Sequence, residues 1–353
     1  MTPLLYILYC SDLNGTEQMA LQTCAGLAGQ YAPLLLAPPG PLHAEAQRRG
    51  VASLEFASVA QLFHLLFRQF MRHRRLAVLA TGVRQSLLCH WLARMFGSEL
   101  SHLHLVHGGS TDWHSYGRKA RLLPLPLRFV TVSEFSRGKL VEYGCPAARV
   151  EVIENFIAGS NWTPRPPFVA GGPLRKVALL TRLEPWKRVD LLLAALERHP
   201  ELRQMAFHVF GNGREQAAYL RRSRDWPNLH WRDFVPDAPA LFHEFDLLLH
   251  PCGEEPFGLV VLEAMLCDLP VLVPDRGGSG ALVQPELTGF HFVADDPESL
   301  AAALLRLREM APATLNAVTA AARAALRPRF AADERIGDYQ RVIDSAFVAY
   351  RQR

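Results

Sequence analysis

Short apolar segments alternate with amphipathic segments along almost the whole chain. In the first half, LLYILYC is followed by TEQMALQTCAGLA, and LAVLAT is followed by RQSLLCHWLARMF. Short continuous apolar runs are typical of buried strands, and apolar residues at helical spacing indicate the helices between them. The alternation therefore predicts βαβ units and an α/β fold, with a parallel sheet covered by helices on both faces.

A segment rich in proline and glycine, SNWTPRPPFVAGGP, interrupts this alternation. Beyond it the pattern resumes, with RKVALL, AFHVF, NLHW, DLLLH and LPVLVP as predicted strands. A chain of 353 residues also favours two domains of roughly 150 residues each. We therefore predict an α/β domain at 1–160, a linker at 161–173, a second α/β domain at 174–330 and a terminal helix at 331–353.

Composition restricts the class of protein. The chain is 49% hydrophobic and 20% charged, as in soluble globular proteins. Its six cysteines are scattered, which argues against a zinc knuckle or a disulfide framework. The first apolar run lacks a basic segment before it, and no uncharged run reaches the roughly 18 residues that span a bilayer. We expect a cytoplasmic protein whose contact with a membrane, if any, is peripheral.

The net charge of +4 is unevenly distributed. Residues 1–165 hold 16 Lys and Arg against 10 Asp and Glu, whereas residues 166–353 hold 22 against 24. A basic first half can favour a phosphate-rich or membrane-surface partner, although a solvated basic face is the simpler explanation. The segment 61–75 combines an apolar face with an arginine cluster, so it is either a helix lying on an anionic membrane or a helix packed on the sheet.

Two cations follow the first predicted strand of the second domain. Arg182 and Lys187 lie in TRLEPWKRVD, between RKVALL and a predicted helix. Ligands of open parallel sheets bind beyond the carboxyl ends of the strands, so these cations could hold a diphosphate there. A solvated basic loop is the alternative.

Two acids flank a predicted helix start in EEPFGLVVLEAMLC. Glu255 lies in the loop before Gly258, and Glu263 lies inside an apolar run, where an acid without a partner is costly. The first backbone amides of a helix can donate hydrogen bonds to an anion. A ligand with hydroxyls at both ends and phosphates between them, such as a nucleotide sugar, fits this layout. The alternatives are a Glu263 paired to an arginine and a solvated Glu255.

These segments resemble the retaining GT-B glycosyltransferases of family 4, also called glycosyl transferases group 1. EPFGLVVLEAM matches the Glu-x7-Glu signature of that family, and Arg182-Leu-x3-Lys187 matches its Gly-Arg-Leu-x3-Lys-Gly element. Further matches run along the chain in order: Asn14-Gly15-Thr16-Glu17, Val106-His107-Gly108, Val132 to Ser136, Val152 to Asn155, Gly211-Asn212-Gly213 and Gly277-Gly278. The resemblance implies two Rossmann-like domains facing a cleft, with the terminal helix packed back on the first domain.

The resemblance also implies roles for individual residues. Arg182 and Lys187 would bind the donor diphosphate, and Glu263 would bind the ribose hydroxyls. The donor sugar would be held by Glu255, by the backbone of Phe257, Gly258 and Leu259, and by His107 of the first domain. Gly15 would let a loop approach the phosphates, and the base would lie near Phe234 and Val235.

The resemblance is incomplete at several positions. Thr181 stands where the family usually has Gly, and Arg188 replaces the Gly after the lysine. Asp268 replaces a common helix-ending Gly, and Asp tolerates the left-handed conformation better than most residues. Asn14 replaces one Gly of the usual pair, and Ala281 stands where an acid is often found. These differences concern the donor site more than the fold.

The resulting hypothesis is transfer of a sugar from a UDP- or GDP-linked donor to an acceptor hydroxyl, with retention of configuration and without a metal or other cofactor. His102 and His104 would share one face of a strand, so we interpret them as structural residues and not as metal ligands. The expected acceptor is a glycan or a lipid-linked glycan of the bacterial envelope, met at the inner face of the membrane, and no nucleic acid is expected.

Two other functions remain open from the sequence. A retaining glycoside hydrolase could use Glu255 and Glu263, but it would need carboxyl groups about 5 Å apart and would leave the two cations without a task. A scaffold or sugar-binding protein with the same fold would bind the donor without turning it over.

Overall fold

The computed structural model describes residues 1–108, 112–157, 164–169 and 174–351, the last four of these by their backbone alone. These residues belong to two compact units, one formed by Met1–Gly159 with Phe330–Arg353 and the other by Ser160–Arg329. Each unit contains one parallel β-sheet, so the prediction of two Rossmann-like α/β domains is confirmed.

The sheet of the first unit has seven strands in the order β3-β2-β1-β4-β5-β6-β7. The strands are β1 Thr2–Ile7, β2 Tyr31–Ala37, β3 Ser53–Glu55, β4 Arg75–Ala80, β5 Glu99–Val106, β6 Arg128–Thr131 and β7 Val150–Val152. The central strands are almost wholly buried, which explains their continuous apolar sequences. Strand order reverses at β1 and β4, as in other doubly wound sheets.

Among the described residues, six α-helices connect these strands. They are α1 Gly15–Leu27, α2 Leu42–Arg48, α3 Val59–Arg72, α4 Val83–Phe96, α5 Asp112–Ser115 and α6 Glu134–Glu142. Helices α3 and α4 pack against each other. Because crossovers between parallel strands are right-handed, the strand order puts these two helices on one face of the sheet and α1 on the other. Segment 61–75 thus lies mostly in α3, whose Leu62, Leu66 and Phe70 are buried on the sheet side.

The second unit has a sheet of six strands in the order β10-β9-β8-β11-β12-β13. The strands are β8 Lys176–Leu180, β9 Ala206–Phe210, β10 Leu229–Arg232, β11 Leu247–Leu249, β12 Val271–Pro274 and β13 Phe290–Phe292. The helices are α7 Val189–Arg198, α8 Gln216–Arg222, α9 Leu259–Leu266, α10 Gly277–Leu282, α11 Pro297–Arg308 and α12 Pro312–Arg329. All five segments predicted as strands contain one.

The last helix, α13 Ala332–Arg351, returns to the first unit. It packs against β5 and α1. The Ser101 hydroxyl donates to the Ile343 carbonyl at 2.7 Å, and the Tyr31 hydroxyl donates to Asp344 at 2.8 Å. The prediction that a terminal helix packs back on the N-terminal domain is therefore confirmed. None of the described helices combines the length and apolar character needed to cross a bilayer.

The predicted linker lies only partly within the described residues, because 161–163 and 170–173 fall outside them. The part at 164–169 packs on the second unit. The Arg165 guanidinium donates to the Phe245 carbonyl at 2.7 Å, and the Phe168 amide donates to Asn316 at 2.8 Å. These residues thus contribute to the second unit.

Candidate active site

Two loops meet at the carboxyl edge of the second sheet. Strand β8 leads into residues 181–187, which end in a 3-10 helix at Pro185–Lys187, and β11 leads into residues 250–258 before α9. Because β8 and β11 are neighbouring parallel strands, both loops leave the sheet at the same edge. The cations of one loop are therefore brought to the acids of the other.

Lys187 and Glu255 form an ion pair across these loops. Lys187 Nζ donates to Glu255 Oε2 at 2.5 Å, and the two side chains are only 14% and 13% exposed. His250, the residue after β11, is buried, and its Nε2 lies 3.1 Å from the same carboxylate oxygen. An ionised carboxylate in so buried a place requires partners of this kind.

The surroundings fix the charge state of both partners. Burial alone would raise the pKa of Glu255, but the Lys187 charge and the hydrogen bond to His250 outweigh burial and hold the pKa well below its usual range. Burial would likewise lower the pKa of Lys187, whereas Glu255 raises it. At neutral pH the pair is therefore an ammonium and a carboxylate.

Arg182, the second predicted cation, is exposed at the same edge. Its guanidinium lies 5.6 Å from the ring centroid of Trp186, within reach of a cation–π interaction. The Trp186 carbonyl accepts a hydrogen bond from the Cys252 thiol at 3.0 Å, which ties the two loops together. The structure therefore places Arg182 on the loop that carries Lys187, with its charge open to solvent.

Helix α9 begins directly after this loop. Gly258 precedes it with φ of 92°, a left-handed conformation that favours glycine. Leu262 donates to the Gly258 carbonyl, so the amides of Leu259 and Val260 have no intrahelical acceptor, as at any helix start. Partial positive charge from these amides lies next to the Glu255 loop and favours an anion there.

A glycine of α10 supports the same loop from the other side. The Gly278 amide donates to the Glu255 carbonyl at 2.6 Å. A Cβ at Gly278 would lie 2.1 Å from the Pro256 carbonyl oxygen and 2.7 Å from the Phe257 Cα, so no other residue fits without moving the loop. The Gly277-Gly278 match to the family motif thus has a steric cause.

Glu263 lies one and a half turns into α9 and is half-buried. Burial, with a smaller contribution from the Asp237 charge, raises the pKa of Glu263 to about 8. Without a ligand, Glu263 is therefore mainly protonated at neutral pH. Within the described part of the chain no arginine pairs with Glu263, and the charged group that acts on it is the acid Asp237.

The two residues proposed near the base follow β10. Phe234 is 51% exposed and Val235 is half-buried. Their segment continues into Asp237, whose charge acts on Glu263. The segment that contains Phe234 therefore carries the charge, that of Asp237, which raises the pKa of Glu263 in α9.

The two predicted site residues of the first unit also lie at a carboxyl edge. Gly15 is the first residue of α1, after β1, and it is exposed. Glu17, two residues later, is buried, and its carboxylate accepts a hydrogen bond from the Asn14 amide at 2.9 Å. His107 follows β5, and its Nε2 is buried without a hydrogen-bond partner among the residues that the structure describes. Burial and the nearby Lys119 charge lower the pKa of His107 to about 4, so it is neutral.

Comparison with known proteins places both halves of the chain in one group. A model described as "Glycosyl transferases group 1" matches residues 175–310, and one described as "Glycosyltransferase Family 4" matches residues 13–158. The chain belongs to the family 4, or group 1, glycosyltransferases.

Curated relatives of this glycosyltransferase match over part of their length. A D-inositol 3-phosphate glycosyltransferase of Salinispora tropica is 30% identical over 208 residues, which cover 51% of this chain and 43% of that protein. A glycogen synthase of Mycobacterium tuberculosis is 32% identical over 188 residues, covering 50% and 44%. The matched region thus spans less than half of each relative.

Solved structures resemble the glycosyltransferase over nearly all of its length. Anabaena HepE, in complex with UDP and glucose, has a TM-score of 0.81 at 18% identity, covering 98% of this chain and all of that one. The lipopolysaccharide outer core galactosyltransferase WaaB has a TM-score of 0.74 at 15% identity, covering 98% of each chain. These likenesses confirm the GT-B fold.

The departures of this glycosyltransferase from the family motifs have visible consequences. Arg188 adopts φ of 56°, and Asp268, the second residue after α9, adopts φ of 58°. Both positions thus require the left-handed conformation that the usual Gly supplies, and the expectation for Asp268 is confirmed. Helix α9 ends at Leu266, two residues before Asp268, because a residue in the left-handed conformation cannot continue the helix.

His102 and His104 serve the core of the first unit. His102 Nε2 lies 3.0 Å and His104 Nδ1 2.9 Å from the hydroxyl of Ser86, and all three residues are fully buried. Burial lowers the pKa of both histidines well below the usual value. Their interpretation as strand residues that share one face agrees with this geometry.

One cluster within the described part of the chain has the composition of a metal site. His250, Cys252 and Glu255 offer ligand atoms within 4.8 Å of one another. The Glu255 oxygen already accepts from Lys187, so an ammonium occupies the position that a cation would take. Independence from metals stays a prediction.

Sequence reasoning missed His250, Trp186 and Asp237. His250 is the last letter of the predicted strand DLLLH, and its position at a strand's carboxyl end was an available signal. Trp186 and Asp237 lie in loops whose neighbours depend on the order of the strands. The sequence pattern gave no sign of either contact.

Proposed function

We propose that this chain transfers a sugar from a nucleotide-sugar donor to an acceptor hydroxyl with retention of configuration at the anomeric carbon. The observation that carries the proposal is the Lys187–Glu255 pair beside the start of α9. An ammonium and an ionised carboxylate lie on two adjoining loops, and free helix amides and the protonated Glu263 lie on α9, which begins at the end of one of these loops. This set suits a diphosphate with hydroxyl-bearing groups at both ends.

In this proposal the diphosphate approaches the amides at the start of α9, and Lys187 and Arg182 supply the compensating charge. Lys187 is held by Glu255 before the donor arrives, so the cation is preorganised and needs little movement. Preorganised charge of this kind is worth most where charge develops in the transition state.

The two acids bind hydroxyls at opposite ends of the donor. Glu255 is ionised and can accept from the donor sugar. Glu263 accepts from the ribose hydroxyls in its carboxylate form, and these hydrogen bonds lower its pKa from about 8. The base lies near Phe234 and Val235, on the segment that leads to Asp237.

The chemical step breaks the bond between the anomeric carbon and the diphosphate oxygen and forms a bond from the acceptor oxygen to the same face of that carbon. The acceptor proton passes to the departing phosphate oxygen. No protein nucleophile is needed, which agrees with the separate roles of Glu255 and Glu263. Arg182, Lys187 and the α9 amides stabilise the charge on the leaving diphosphate.

For the donor and acceptor we propose a UDP- or GDP-linked sugar and an envelope or surface glycan, met on the cytoplasmic side of the membrane. The UDP and glucose bound to HepE support the first, and the name of WaaB supports the second. The curated relatives are named for D-inositol 3-phosphate and for glycogen. Acceptors of those two classes therefore belong in the test.

The deciding experiment measures release of nucleoside diphosphate from UDP- and GDP-sugars with lipid-linked oligosaccharide, inositol phosphate and glucan acceptors. NMR of the product should show the anomeric configuration of the donor. Lys187→Ala should lower turnover by roughly a hundredfold or more, as loss of an oxyanion donor does elsewhere.

Lys176→Ala is the matched control, since Lys176 is an exposed lysine of the same unit at the start of β8. It should keep wild-type turnover. Equal turnover in Lys187→Ala and Lys176→Ala would refute the role of Lys187. Donor binding without turnover on every acceptor would favour a sugar-binding protein, and hydrolysis of simple glycosides would favour a hydrolase.

A further inference from the structure

The outer surface of α3 and α4 has an unusual composition. Residues 56–98, which contain both helices, hold six arginines and no Asp or Glu. The proposed donor site uses none of these residues.

The exposed positions of the two helices mix arginines with large apolar side chains. On α4 they recur at helical spacing, so they form one outward stripe. We define the α3–α4 face by eight exposed residues: Arg68, Met71, Arg72, Arg84, Leu87, Trp91, Arg94 and Met95. An outward stripe of a surface helix is ordinarily polar, so its apolar members need another explanation.

Aromatic side chains fill the seam between the helices. The Phe63 ring lies 6.0 Å from the Trp91 ring and 5.8 Å from the Phe67 ring, which in turn lies 5.1 Å from Phe96. Trp91 is nevertheless 55% exposed and Met95 46% exposed. The aromatic seam thus holds Trp91 while leaving its indole partly exposed, and partly exposed tryptophans of this kind are enriched at membrane interfaces.

The arginines of the face are uncompensated. Arg68, Arg72, Arg84 and Arg94 have no ion pair within the described residues, whereas Arg75, at the start of β4, contacts Glu99 at 4.0 Å. Their positive charge is therefore available to an external anion. It also disfavours pairing of this face with a second copy of itself, because like charges would meet.

We propose that the α3–α4 face docks on the surface of an anionic lipid bilayer. The arginines contact lipid phosphates, and Trp91, Met95, Leu87 and Met71 enter the boundary between headgroups and acyl chains. The combination of exposed apolar side chains and basic residues on one helical surface is what interfacial binding requires. A nucleic acid would use the arginines but would leave these aliphatic side chains in water.

Binding of the full chain to vesicles tests the proposal without donor or acceptor, so the result is independent of the proposed transferase activity. Vesicles of equimolar phosphatidylcholine and phosphatidylglycerol should bind the protein, and vesicles of phosphatidylcholine alone should not. Binding should weaken steeply as salt is added.

Arg68→Gln/Arg84→Gln/Arg94→Gln should reduce partitioning by on the order of a hundredfold, since each basic residue near an anionic surface contributes roughly fivefold. The control Arg203→Gln/Arg221→Gln/Arg224→Gln removes the same formal charge from exposed positions of the second unit and should bind like the wild type. Equal loss in both variants would show that only net charge matters and would overturn the proposal.

Trp91→Ser/Met95→Ser tests the apolar part and should reduce partitioning by about tenfold. Both side chains are about half exposed, so thermal unfolding should change little and will check the fold. Unchanged vesicle binding in this variant, or tighter binding to duplex DNA than to the vesicles, would refute a membrane surface. In the second case the face is a polyanion site.

Discussion

Replacing Glu263 by Gln should change the pH dependence of stability of the second unit. Burial raises the pKa of Glu263 from 4.5 to about 8. The folded unit therefore holds a proton that the unfolded chain releases, and the stability linked to this proton is complete below pH 4.5 and is lost as the pH rises to about 8. The glutamine variant has no such loss.

The magnitude follows from the width of this window. Each pH unit between the unfolded and folded pKa costs about 1.4 kcal/mol, so the wild type should lose roughly 2 to 3 kcal/mol from this group between pH 6 and 9. Glu263→Gln should then be more stable than the wild type at pH 9 by about that amount relative to the difference at pH 6. The variant should also bind nucleoside diphosphates more weakly, because an amide accepts ribose hydroxyls less strongly than a carboxylate.

Amide hydrogen exchange of α9 peptides, measured in increasing urea at each pH, reports the second unit separately from the first. Glu244→Gln is the control, since Glu244 is an exposed acid of the same unit. It should follow the wild type at every pH. If the difference between Glu263→Gln and wild type is the same at pH 6 and pH 9, Glu263 is not held protonated and the reasoning is wrong.

Three further results are expected. Binding of UDP at pH 7 should release a proton, because ribose hydroxyls favour the carboxylate of Glu263; calorimetry in buffers of different ionisation enthalpy should detect the proton in wild type and not in Glu263→Gln. Gly278→Ala should abolish detectable donor binding by moving the loop at Pro256, and retained affinity by titration calorimetry would contradict the steric argument. Ser86→Ala should destabilise the first unit by about 1 to 3 kcal/mol, since it leaves His102 and His104 without their shared partner. Urea unfolding measures this loss, and an unchanged free energy of unfolding would mean that water replaces the hydroxyl.

The central elements of the fold were predictable because they are repetitive. Continuous apolar runs such as KVALL and RLAVLA need burial on both faces, and both form strands. The three-residue strands β3, with the sequence SLE, and β13, with FHF, lie at sheet edges, and their sequences are too short to show a period. The short helix α5 and the 3-10 helix at Gly117–Leu122 likewise show no period in the sequence, and Tyr116 and Leu122 are buried there.

The candidate site was predictable in its members but not in its contacts. Lys187 and Glu255 were identified through motifs that assign them to different parts of a ligand. Their ion pair depends on β8 and β11 being neighbours. The local sequence of a strand does not determine which strands lie next to it in the sheet. The raised pKa of Glu263 likewise depends on burial and on Asp237, which only the folded unit brings near.

The path of the chain implies an order of assembly during synthesis. The second unit, Ser160–Arg329, lies between two parts of the first. The Tyr31 and Ser101 hydroxyls donate hydrogen bonds to Asp344 and Ile343 of α13. The ribosome therefore synthesises the whole second unit before it synthesises α13. Until then, the face of the N-terminal sheet that α13 later covers is exposed to water or to a chaperone.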